Sequence, residues 1–189
     1  ISEEAYDFIH RCCGSYEAQK ADAIYRFVQE GLRMGRAVMS HLTVPYMQTL
    51  FAIERNFTNE SHFFIEILRF EELENGTLFG RINPKSEVLP YLADHFADRF
   101  AGEQWVIADT VHRTVLLHKA NYKTVYLSMD EVDMDGLTLT YSEDEKQLQK
   151  LWKLFVDTIA IKERVNPKLQ RQMLPLRFRK YMKEFSETE

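Results

Sequence analysis

Asp94, His95 and Asp98 occupy adjacent faces of one helical stretch, and Asp109 ends the next strand with Arg113 close by. Carboxylates and an imidazole converging there would bind a metal or move protons. On that reading His95, Asp98 and Asp109 are the candidate catalytic residues. The competing reading makes Asp98 and Arg99 surface ions and His95 a hydrogen-bonded anchor. His112 and His118 are six apart, close enough to share one strand face, but the spacing alone does not define a metal site. Glu131, Asp133 and Asp135 stand at the first, third and fifth positions of a calcium-type loop with Gly136 sixth. Position twelve, which requires a bidentate carboxylate, is Ser142. A solvated Asp-Gly turn fits that stretch better. The chain has no Ser/His/Asp arrangement, phosphate-binding loop or dinucleotide glycine motif, and neither cofactor nor metal is expected. Cys12 would be nucleophilic only if a base or helix terminus lowered its pKa, so packing is its default role.

A second group of residues suits binding. Lys168, Arg171 and Gln172 share a helix face, and Arg177, Arg179, Lys180 and Lys183 follow within a few turns. Arg, Lys and Gln, with Asn166 and two helix N-termini, suit phosphate contacts. Phe178 and Tyr181 would stack on an unpaired base unless their stripe is buried. The alternative is a basic face neutralised by the acids of residues 130–145.

The charge distribution sharpens this contrast. The 189 residues carry a formal net charge of −5, against non-specific adhesion of the whole surface to nucleic acid. Residues 162–183 hold eight Lys/Arg and one acid, a local +7 that leaves −12 on the remainder. Between Thr124 and Glu145 there are seven acids and no base. A composition 45% hydrophobic and 28% charged is that of an ordinary globular chain able to bury a core. Adjacent Cys12 and Cys13 cannot form an unstrained disulfide and read as reduced thiols of a cytoplasmic protein. No apolar run approaches transmembrane length, and no membrane partner is expected.

The elements follow from periodicity. Residues 3–13 and 16–34 read as helices, the second capped by Ser15 with Ala21, Ile24, Tyr25, Val28 and Leu32 as its stripe. A third begins near Pro45 with Tyr46, Leu50, Ile53 and Phe57 in line, running towards Glu60 and His62. Residues 64–72 and 77–83 then read as strands around Asn75-Gly76, a strong hairpin signal. Val88, Leu92, Phe96 and Phe100 mark a helix. Residues 105–109, 111–118 and 122–128 are further strands. Residues 137–141 resume after the acidic loop. Ser142 and Glu145 have capping-box spacing, and Leu148, Leu151, Trp152, Phe155 and Ile159 form an apolar stripe that predicts docking on the core. Asn166-Pro167 and Pro175 start two short helices. The predicted fold is a single α+β domain over residues 1–189. Helices occupy 1–63, a largely antiparallel sheet of about five strands with one crossing helix 64–141, and C-terminal helices 142–185.

Two runs carry a resemblance. LWKLFVDTIAIKERVNPKLQRQMLPLRFRKYMKEF and GRINPKSEVLPYLADHFADRFAGEQWVIADTVHR resemble a bacterial family labelled a probable DNA metabolism protein. The NPKLQRQ and LPYLADHFADRF strings are its most specific parts. The resemblance implies a protein encoded beside a DNA-repair radical SAM protein and, in some bacteria, fused to a uracil-DNA glycosylase-like domain. It implies no catalytic residues. It also implies a further segment upstream of Ile1. Where the family has basic residues entering the first strand, this chain has Glu60-Ser61-His62-Phe63-Phe64-Ile65; Glu60 and His62 fit and the basic residues are absent. The leading expectation is an accessory protein of DNA metabolism, with the radical SAM protein as partner and DNA met by the basic segment. The alternatives are an enzyme using the His/Asp group and a protein-only scaffold.

Overall fold

The computed structural model describes residues 2–131 and 140–185. It is α+β, with helices first, a five-stranded mixed sheet, and a helical C-terminal region. The chain divides into two compact units, Ile1–Glu66 with Pro84–Leu92, and Ile67–Asn83 with Ala93–Glu189.

The first unit contains α1 (Glu3–Gly14), α2 (Lys20–Met34), a 3-10 segment (Gly35–Ser40) and α3 (Pro45–Ile67). Ser2 caps α1 by accepting the Ala5 N–H. Phe8, Cys12, Phe27, Val38, Met47, Leu50 and Ile53 form its buried centre. Ser15 does not cap α2. Its own N–H closes the end of α1, and its Oγ accepts the Glu17 N–H at 3.2 Å. The Lys20 ammonium then donates to the carbonyls of Cys13 and Ser15, placing a cation at the negative end of α1 and starting α2 four residues later than predicted. The buried face of α2 is Ala23, Phe27 and Gly31, while Tyr25 and Leu32 of the predicted stripe are exposed. Apolar residues cover more than half of this helix's circumference, so spacing alone did not select the inner arc.

α3 runs through Ile67, so the predicted strand at residue 64 is helical in its first part. Phe57, Ser61 and Phe64 continue the three-and-four spacing of Leu50 and Ile53 into the core. Glu60 is buried on the same helix, and its carboxylate accepts the N–H groups of Lys85 and Ser86, both at 3.0 Å. It thereby fixes the Pro84–Ser86 turn, a structural task for this acid. Gly14 has no room for a side chain, since an added Cβ would lie 2.8 Å from the Phe57 ring.

The second unit is built on β1 (Phe70–Glu72), β2 (Leu78–Ile82), β3 (Trp105–Asp109), β4 (Thr114–His118) and β5 (Val125–Ser128), in that spatial order. The β1–β2, β3–β4 and β4–β5 pairs are antiparallel. β2 and β3 are parallel, which requires a crossover, supplied by α4 (Leu89–Arg99). Gly76 takes φ 76° in the β1–β2 turn, and the Asn75 side chain accepts the Thr77 N–H at 3.0 Å. One sheet face packs Phe70 and Trp105 against Phe96, with Phe100 also edge-on to Phe70. The opposite face buries Phe79, Val106, Ala108 and Val115 with Leu73.

The C-terminal region comprises α5 (Glu143–Ile159), α6 (Pro167–Met173) and 3-10 segments at Leu176–Tyr181 and Lys183–Phe185. Ser142 caps α5 as predicted, accepting the Glu145 N–H at 3.1 Å. Glu145 does not reach back to Ser142; its Oε2 accepts the Glu72 N–H on β1 instead. The predicted core docking of α5 is overturned. No residue of α5 is buried, and Leu148, Leu151, Phe155 and Ile159 are each more than half exposed. The helix lies on its own unit by the edge carrying Glu145, Gln149, Lys153 and Val156, all half-buried. Asp133, Asp135, Gly136 and most of the strand expected at residues 137–141 lie outside the described residues. Tyr141 bridges to Leu73.

Candidate interaction surface of the C-terminal segment

The acid and histidine candidates go to separate duties. Asp109, fully buried at the end of β3, accepts the N–H groups of Val111 at 2.9 Å and His112 at 3.1 Å through Oδ1. Its Oδ2 meets His112 Nδ1 at 2.6 Å. This carboxylate organises the β3–β4 turn, in which Arg113 takes a left-handed φ of 56°. Asp98 is an exposed residue of α4, and His95 is half-buried with its ring edge-on to Phe96 at 5.0 Å. His112 sits in the turn rather than on a strand, whereas His118 ends β4 and stacks on Trp105 at 4.9 Å. Among the described residues no group of three His, Cys, Asp or Glu is placed to hold a metal. Glu131, first of the calcium-loop acids, accepts the Ser128 N–H. Cys12 is buried, and desolvation, with the Glu54 carboxylate second, pushes its thiol up to about 12. Packing is its role.

The end of the basic segment is tied down by a cluster the residue spacing did not reveal. Glu71 is buried on β1, and its carboxylate is flanked by the Lys183 ammonium and by Arg81 Nη2 at 3.3 Å. Arg81 also donates to the Tyr141 hydroxyl at 3.0 Å and lies over the Tyr181 ring at 5.1 Å. Burial, reinforced by a hydrogen bond to Glu71 and its charge, pushes the Tyr141 phenol up to about 12. Asn83 donates to the Arg177 carbonyl, Tyr181 bonds Thr110 at 3.0 Å, and Arg69 bonds Glu184. Phe178 and Met182 are buried. Phe178 is therefore a packing residue, and Tyr181 is occupied by Arg81 and Thr110, so neither forms a stacking platform. Little in the sequence signals it: Glu71 stands between Phe70 and a second acid, Glu72, and only the strand's alternation turns Glu71 inward.

What remains outward is a row of cations. Asn166 caps α6 through the Leu169 N–H at 3.0 Å, with Pro167 in its first turn. Lys168, Arg171 and Gln172 of α6 are exposed, as are Arg177 and Lys180 in the following 3-10 segment. Arg179 is different: its guanidinium donates twice to the Leu174 carbonyl, at 3.0 and 2.9 Å, and lies over the Phe185 ring. It holds the segment's bend rather than facing solvent. The basic surface is adjoined in sequence by the exposed stripe of α5 and by exposed Ile161, Val165, Leu169, Met173 and Leu176.

A concavity lies where β3 begins and β4 ends. A cleft of about 460 Å³ is lined by Trp105, His118, Lys119, Tyr122, Lys123 and Leu127 among others. Lys119 lies over the Tyr122 ring at 5.5 Å.

The described residues thus form an α+β chain whose mixed sheet has one parallel crossover and whose basic segment is fastened to that sheet. The chain belongs to the DUF4130 family, a domain of unknown function whose model matches residues 18–184. No curated protein matches the chain, and no solved structure does. No helix among the described residues is long and apolar enough to cross a membrane.

Proposed function

We propose that the protein is an accessory factor of bacterial DNA metabolism that meets DNA through its basic C-terminal segment and works beside a radical SAM repair protein. The observation that carries this reading is the outward row of Lys168, Arg171, Gln172, Arg177 and Lys180 on a chain of net charge −5. Concentrated positive charge on an acidic protein confines anion binding to one surface and repels it elsewhere. Lys183–Glu71 and Asn83–Arg177 hold the segment on the sheet, which lowers the ordering cost of binding. The radical SAM partner and the link to uracil-DNA glycosylase-like domains come from the family resemblance. Copurification from the native host tests the proposal: the radical SAM protein and nuclease-sensitive nucleic acid are expected to elute with this protein. Elution of the protein without either would overturn it.

The exposed stripe of α5 favours a second reading, a scaffold for proteins alone. That scaffold would show no change in melting temperature when DNA is added, whereas a DNA binder is stabilised by its ligand.

A further inference from the structure

We propose that α5 is a self-association surface, on which a second copy of the chain packs antiparallel to the first. α5 uses one edge to dock on its own unit, through Glu145 to the Glu72 N–H at 3.3 Å and through the half-buried Gln149, Lys153 and Val156. At 100° per residue, Leu148, Leu151, Phe155 and Ile159 fall on a different arc, with Trp152 between the two. Those side chains are 59%, 61%, 52% and 57% exposed, in an element of 17 residues that spans about 25 Å. Three-and-four spacing sustained over three turns is the pattern with which helices interdigitate.

The charges at the two ends select the occupant and its direction. The stripe begins at an acidic turn, Glu143 and Asp144, with Asp144 exposed in line with Leu148 and Leu151. It ends at the exposed cations Lys162 and Arg164, followed by Lys168 and Arg171. A second copy laid antiparallel places each acidic start against the other's basic exit and sets Leu148 near Ile159 and Trp152 near Phe155. A parallel copy would put acid on acid and base on base. The helix dipoles favour the same arrangement. The pairing is isologous, so the stripe is both surface and complement, and the contact closes at two copies.

Sedimentation equilibrium of the full chain, from low micromolar to several hundred micromolar, tests this. The weight-average mass is expected to rise from 22.4 kDa towards twice that value with concentration. Leu151→Glu and Phe155→Glu alter exposed side chains, so they are expected to keep the wild-type circular dichroism and melting temperature while abolishing the dimer. Asp144→Lys is expected to weaken dimerisation at least about tenfold by setting like charges together. Combining it with Lys162→Glu and Arg164→Glu should restore association. A monomer throughout the concentration range, a dimer indifferent to Leu151→Glu, or a reversed triple variant as weak as Asp144→Lys alone would each overturn the proposal.

Discussion

Glu145 Oε2 accepts the backbone N–H of Glu72 at 3.3 Å, while the Ser142 N–H donates to the Glu72 carbonyl at 3.0 Å. The start of α5 thus extends the hydrogen bonding of the sheet-edge strand β1, and the edge carrying Glu145, Gln149 and Val156 attaches the helix. Trp152 joins that attachment, its Nε1 donating to Glu184 and its ring lying beneath the Arg69 guanidinium. This pairing explains how the most amphipathic-looking helix of the C-terminal half leaves Leu148, Leu151, Phe155 and Ile159 exposed. It also sets the basic segment that follows on a fixed base.

The Glu71 cluster is expected to carry much of that attachment. Replacing Glu71 with Gln leaves Lys183 and Arg81 facing each other without their shared anion, at a cost of about 2 kcal/mol because both cations retain some solvent. Urea unfolding should show that loss. A Glu71→Gln, Lys183→Met cycle should give a favourable coupling between the two residues. Additive single effects would show that the pair contributes nothing to the docking.

Tyr141 supplies a pH signature of the same cluster. Its phenol is pushed up to about 12, first by burial and then by the hydrogen bond and charge of Glu71. The folded state therefore favours the neutral phenol. That stability is present in full below the ordinary tyrosine range near pH 10 and is lost as pH climbs through about 12. Ultraviolet titration should show a late-ionising phenol that Tyr141→Phe removes. Titration of every phenol in the ordinary range would contradict the placement of Tyr141.

Glu60 is expected to be a stability residue and not a binding one. A carboxamide has one acceptor oxygen, so Glu60→Gln sets an N–H of Lys85 or Ser86 against an NH₂ group, at about 1–3 kcal/mol. The midpoint of thermal unfolding should fall. DNA affinity, measured well below that midpoint, should be unchanged.

The two cysteines should separate cleanly in reactivity. Cys13 is exposed, while Cys12 is buried, donates to the Leu50 carbonyl, and has its thiol pushed up to about 12. A thiol reagent at mildly alkaline pH should modify one cysteine quickly and the other only after denaturation. Two fast thiols would contradict the burial of Cys12.

Much of the fold was legible because local chemistry determines local structure. Asn75-Gly76 announced the β1–β2 turn, Ser142 and Asn166 announced the starts of α5 and α6, and the spacing of Leu92 and Phe96 announced α4. What spacing does not encode is which way a stripe points. A period of 3.6 defines a face, and its partner is chosen by contacts distant in sequence, here Glu145 with Glu72. The same limit misplaced the inner arc of α2 and hid the helical continuation of Phe64 behind its β-branched neighbours. At the candidate site, the exposed Lys168, Arg171, Arg177 and Lys180 were readable as a charge run, with the polar Gln172 among them. The inward roles of Arg179 and Lys183 were not, because the same residue types serve solvent, carbonyls and a buried carboxylate alike.

The most direct test of the account is the salt dependence of DNA binding by the full chain and by the Arg171→Ala, Arg177→Ala, Lys180→Ala variant. A plot of log affinity against log salt concentration should be steep for the wild type. In the variant its magnitude should drop by about 2 to 3, close to one unit for each duplex phosphate contact removed. Binding that is absent at low salt, or slopes that coincide for the two proteins, would contradict the claim that the C-terminal segment is the surface at which this protein meets DNA.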